Sequence, residues 1–93
     1  MLHLCIITWD PDKRDEIFKR AQKRGFEHEG GMKVIGTWID IDGWRAYQLT
    51  DVPDDIDPKL RLKANFAWND ITRIETVRVM EAEEMVKALA SMK

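Results

Sequence analysis

The dipeptide Asp42-Gly43 constrains this chain more than any other feature. It stands between two runs rich in β-branched and aromatic residues, 32–41 and 44–50. An Asp-Gly pair flanked in this way marks a tight hairpin, because the favoured turn needs positive φ at its centre. With a two-residue turn, Ile41 pairs with Trp44 and Trp38 falls opposite Tyr47. On that same face Asp40 lies opposite Arg45 as a cross-strand ion pair, while Ile35, Thr37, Ile39, Ala46 and Gln48 share the other.

A strand and a helix precede the hairpin. Residues 2–9 alternate with Leu2, Leu4 and Ile6 on one face and His3, Cys5, Ile7 and Trp9 on the other. Both faces are mostly apolar, the mark of a central strand covered on both sides. Asp10-Pro11 opens a helix, with Asp as N-cap and Pro at the first helical position, where its missing N–H is no loss. The helix runs to about Arg24, with Asp15–Lys19 and Glu16–Arg20 spaced as i,i+4 pairs, and Gly25 stops it. Ile17, Phe18 and Ala21 form a narrow apolar stripe. Lys19, Arg20, Lys23 and Arg24 gather at the end where the helix dipole favours cations, so they read as helix-end chemistry before a phosphate site.

Beyond the hairpin, an acidic, proline-bearing connection ends in a second Asp-Pro start at Asp57-Pro58. The helix it opens runs to about Trp68, with Leu60, Ala64, Ala67 and Trp68 in one stripe and Leu62 and Phe66 nearly opposite. Residues 71–80 alternate as a fourth strand, and 81–93 append an amphipathic helix with Ala82, Met85, Leu89 and Met92 along one side. That last helix is a second cover for Leu62 and Phe66, within the chain or across a dimer.

The order β, α, β-hairpin, α, β predicts one α+β domain over residues 1–93, a ferredoxin-like βαββαβ fold whose four-stranded antiparallel sheet carries its helices on one face. The other face is then too apolar and aromatic to stand in water, which favours burial against a second sheet and predicts a homodimer.

Composition narrows function by exclusion. A hydrophobic fraction of 44% and a charged fraction of 34% are those of an ordinary globule. The net charge of −2 gives no electrostatic reason to bind nucleic acid, and no apolar run approaches a membrane span. The apolar start lacks a basic flank and a cleavage site, so it reads as a strand and not a signal peptide. One cysteine excludes an internal disulfide or a multi-cysteine zinc site and suits a reducing cytoplasm. The Asp40 to Gly43 stretch lacks the further ligands of a calcium loop. Neither a phosphate loop, a Ser-His-Asp order nor a haem attachment motif is present, and no cofactor or metal is expected.

Several segments in order resemble the domain of unknown function 3303 family: the opening strand and helix, Thr37-Trp38-Ile39 leading to Asp42-Gly43, and Tyr47-Gln48-Leu49-Thr50-Asp51. Phe66-Ala67-Trp68-Asn69-Asp70-Ile71 and residues 75–79 complete the set, while Arg78 stands in place of a proline and the loop at 54–57 departs from the pattern. The resemblance implies the dimeric α/β-barrel version of the fold. It implies no activity, although the wider superfamily includes cofactor-free monooxygenases, haem-degrading enzymes and isomerases.

The candidate chemistry is sparse. His3 is the one acid–base residue inside a predicted sheet, placed to bond either a ligand or a neighbouring strand. Trp38, Tyr47 and Trp68 are candidates to line a pocket, against core packing or dimer contact, and Gln48 is a polar group within a strand. Asn65 or Asn69, with Trp68 and His3, offers the side-chain types that superfamily monooxygenases place around an aromatic substrate. Arg73 and Glu75 read as a solvated edge, Cys5 as a small buried hydrophobe, and His28, between Glu27 and Glu29, as exposed. The leading expectation is a cytoplasmic homodimer holding a small organic ligand in an apolar cavity, with His3, Trp38, Tyr47, Gln48 and Trp68 as its contacts. Two rivals stand beside it: a cofactor-independent monooxygenase or isomerase, and a structural or partner-binding module without catalysis.

Overall fold

The computed structural model describes residues 1–25 and 31–92. Four strands, β1 (Leu2–Thr8), β2 (Lys33–Ile39), β3 (Arg45–Asp51) and β4 (Arg73–Val79), form one antiparallel sheet in the order β2-β3-β1-β4. Helices α1 (Arg14–Arg24) and α2 (Pro58–Phe66) connect β1 to β2 and β3 to β4, and α3 (Ala82–Ser91) follows the last strand. This is the expected ferredoxin-like arrangement. β1 is central, with Ile7 paired to Ala46 on one side and to Ile74 on the other.

The hairpin keeps its expected register but not its expected turn. Trp38 pairs with Tyr47 and Ile39 with Ala46. The Asp40 N–H donates to the Arg45 carbonyl at 2.9 Å, and the Gly43 N–H to the Asp40 carbonyl at 2.8 Å. Ile41 to Trp44 therefore form a four-residue loop, with Ile41 and Asp42 at the centre of its turn and Gly43 taking φ +80° just after it. Ile41 and Trp44 do not pair, and the Asp40–Arg45 side-chain ion pair does not form. Asp40 Oδ1 instead accepts from the Asp42 N–H at 3.4 Å, and the Trp44 ring lies 5.3 Å beneath the Arg14 guanidinium. A β-bulge between Val34 and Gly36 takes Ile35 out of the pairing.

The two Asp-Pro starts diverge. Asp57 caps α2 as expected, its side chain accepting from the Lys59 N–H at 3.0 Å. Asp10 makes no side-chain cap, and the chain winds through a 3-10 turn at Pro11–Lys13 before α1 begins. Gly25 ends α1 at φ 70°. His28, given an exposed site above, lies outside the described residues.

The core gathers between α1 and the sheet, where Trp9, Ile17, Ala46 and Ile71 are buried against Ile7, Phe18 and Trp68. Trp9 Nε1 donates to the Gly43 carbonyl at 3.1 Å, which ties the end of β1 to the hairpin loop. The opposite sheet face carries Leu4, Ile6, Tyr47, Leu49, Trp38 and Val77 and is covered by no helix. α3 is exposed at every residue, so it does not cover Leu62 and Phe66 within the chain, and both remain more than half exposed. No helix of the described residues is long and apolar enough to cross a membrane.

Candidate functional site

Strand parity and connection geometry together build a cleft. Odd residues of β1 and even residues of β3 and β4 point toward the helices, so Cys5, Ile7, Ala46, Gln48 and Ile74 make its floor. The stripe of α1 supplies Ile17 and Phe18, and α2 with the turn after it supplies Ala64, Asn65 and Trp68. The cavity holds about 170 Å³ and opens to solvent on one side. That is room for roughly one aromatic ring with substituents, judged against apolar cavities of about 150 Å³ that admit benzene. A second hollow beside Asp10, Asn69 and Arg73 is more polar and more open.

The polar groups of the cleft are few. Gln48 is buried, and its Nε2 donates to Thr37 Oγ1 at 3.2 Å. The Thr72 hydroxyl donates to the Trp68 carbonyl at 2.7 Å, fixing the turn that presents the indole. Arg20 braces the same turn. Its Nη1 reaches the Ala67 carbonyl at 3.0 Å and Asp70 Oδ1 at 2.7 Å, and its Nη2 reaches Asp70 Oδ2 at 2.9 Å and Glu16 at 3.3 Å. Its guanidinium lies 5.7 Å over the Trp68 ring. Hydrogen bonds from Arg20 hold the Asp70 carboxyl below the usual carboxylate range. Within the basic cluster at the end of α1, Arg20 thus acts as a clamp on the far helix.

The sequence-derived candidates separate by face. Gln48 and Trp68 line the cavity. His3 points to the same side one rung beyond Cys5, paired with Thr50 on β3 and Arg78 on β4. Its Nδ1 and the Thr50 hydroxyl are both buried with no hydrogen-bond partner. Burial first, then the charges of Arg61 and Arg78, lowers the His3 pKa below 6.5, which favours the neutral imidazole. Trp38 and Tyr47 share a face as expected, but it is the face away from the helices. The Trp38 indole folds back over Gly36, where an added Cβ would meet the ring at 2.6 Å. Their distance from the cavity has a simple cause: in this register they stand with Leu4 and Ile6, on the side that neither crossover helix covers.

Three cleft residues escaped the sequence reading. Trp9 and Phe18 meet edge-to-face at 6.3 Å between ring centres, and their signal was present in the parity of β1 and the stripe of α1. Arg61 lies on the same arc of α2 as Asn65 and Trp68, spaced i, i+4 and i+7, a pattern concealed by counting apolar positions alone. Asn65 lines the cavity while Asn69 borders the second hollow. Cys5 is buried, its Sγ 3.7 Å from Thr76 Oγ1. Among the described residues no three of His, Cys, Asp and Glu come together as a metal site.

A family model described as a domain of unknown function (DUF3303) matches residues 1–93. No curated protein and no solved structure matches the chain.

Proposed function

The chain belongs to the domain of unknown function 3303 family, and from that premise and the geometry of the cleft we propose that it is a small homodimeric binding protein for an organic ligand held between sheet and helices. One observation carries the reading: an apolar cavity of about 170 Å³ stays open where a chain this short would otherwise close its core. Its walls combine the aromatic rings of Trp9, Phe18 and Trp68 with the polar ends of Gln48 and Asn65, the mixture by which small-molecule sites bind a ring and fix its orientation. The braced turn at Trp68 supports the reading further, because a ligand contact gains affinity when its rotamer is fixed beforehand. The dimer half rests on the uncovered sheet face and on α3, neither of which is covered by another element among the described residues.

Native mass spectrometry of the purified protein tests both halves at once. The expected result is a dimer mass with a small-molecule adduct, or an adduct after incubation with aromatic compounds. A bare monomer that takes up none of them overturns the reading.

A second reading, a cofactor-independent monooxygenase or isomerase, is favoured by one observation: Asn65 and Trp68 converge on the same cavity. Oxygen uptake with a panel of quinols and anthrones separates enzyme from binder, and absence of turnover across the panel counts against the enzyme.

A further inference from the structure

The charges around the cleft run against those of the whole chain. The protein carries 17 acidic and 15 basic residues and a net charge of −2. Yet among the described residues that line the cavity none is acidic, while Arg61 is basic. Arg61 is half-buried, and its one contact is a long one, from Nη1 to the sulfur of Met32 at 4.0 Å. No carboxylate among the described residues lies within ion-pair distance of it. A half-buried arginine with no counter-charge among the described residues gains a charge-assisted pair when an anion reaches it.

His3 and Thr50 lie beyond the cavity wall, one rung past Cys5 and Gln48. The Arg61 charge is felt at His3, whose Nδ1 is a buried atom without a partner. Thr50, the cross-strand neighbour of His3, is fully buried with its hydroxyl equally unpartnered. Polar atoms buried without partners are uncommon, but these two stand outside the cavity, and within it Arg61, with Asn65 beside it, offers donors to oxygen atoms supplied from outside the chain.

Resting on the ligand-binding reading above, we propose that the ligand is an organic acid: an apolar, ring-bearing body seated against Trp9, Phe18 and Trp68, with a carboxylate held by Arg61. Arginine suits this task because its planar fork can offer two parallel N–H donors to the two oxygens of a carboxylate. Asn65, one turn further along α2 and also on the cavity wall, is placed to donate to the same group.

The test compares acids with amides of the same shape on the full chain at neutral pH. Benzoate and 1-naphthoate, against benzamide and 1-naphthamide, are titrated by calorimetry into the wild type and into Arg61→Gln and Arg61→Lys. Each acid is expected to bind at least about tenfold tighter than its amide, the size of one charge-assisted pair. Arg61→Gln should bring acid and amide together, and Arg61→Lys should keep part of the difference. Thermal unfolding of both variants confirms the fold, which no Arg61 ion pair supports. Equal affinity of acid and amide for the wild type, or a preference that survives in Arg61→Gln, overturns the inference and leaves the ligand-binding reading standing. Failure of all four compounds to bind overturns both.

Discussion

The folded chain disfavours the charged form of His3 for reasons that can be tested by acidifying it. Burial, with Arg61, Arg78 and the N-terminal amine nearby, holds its pKa below the ordinary 6.5. On acidification the unfolded chain therefore takes up the proton first, near pH 6.5, and the folded chain only at lower pH. Stability from this site is complete above that value and falls as the pH drops below it. Urea midpoints measured from about pH 7.5 to about pH 5 should decline less for His3→Gln than for the wild type. Equal slopes would mean that the imidazole is not shielded. Trp9 makes a second residue-scale case. Its indole N–H satisfies the Gly43 carbonyl, so Trp9→Phe leaves that buried acceptor unpaired and a void beside Ile17. The expected loss is about 2 kcal/mol, read as a lower urea midpoint at unchanged slope.

At the scale of elements, what the sequence discloses depends on how far its signals reach. The four strands themselves and the pairing of Trp38 with Tyr47 follow from period-two alternation and one turn dipeptide, both local. Asp57 is local too: its carboxylate meets an N–H two residues on, and Asp57→Ala should lower stability by about 1 kcal/mol in thermal or urea unfolding. Asp10 precedes the same residue type, proline, yet its side chain caps nothing and lies 3.7 Å from the Arg73 guanidinium on β4, a partner sixty-three residues away that no local pattern announces. The cleft was only half legible. Alternation divides each strand into two faces but does not say which one the helices cover; the hand of the crossovers decides that, and it sends Gln48 inward and Tyr47 outward. The Arg20–Asp70 clamp spans fifty residues of sequence and leaves no periodic trace. From the chain alone, Arg20 is one of four cations at the end of a helix.

The molecule as a whole is more extended than its length requires. Its radius of gyration is 15.2 Å, against about 12 Å for a packed domain of this size. It measures 51 by 30 by 17 Å, with α3 exposed along its whole length and one sheet face uncovered. Both surfaces are apolar: half-buried Leu4, Ile6 and Leu49 with exposed Val77 on the sheet, and exposed Met85, Val86 and Leu89 on the helix. The homodimer proposed above would cover the two together, with sheet facing sheet and each α3 reaching over its neighbour. Ile6→Lys discriminates between this arrangement and a stable monomer. In a lone chain the new ammonium reaches water across the open face and the fold is little disturbed. In a face-to-face dimer it is buried without a counter-charge opposite its own symmetry mate, and the pair separates. Sedimentation at micromolar concentration should therefore find a dimer for the wild type and a monomer for Ile6→Lys, with the same far-ultraviolet dichroism. A wild type that sediments as a monomer would refute the dimer, and a variant that stays dimeric would move the interface off the sheet.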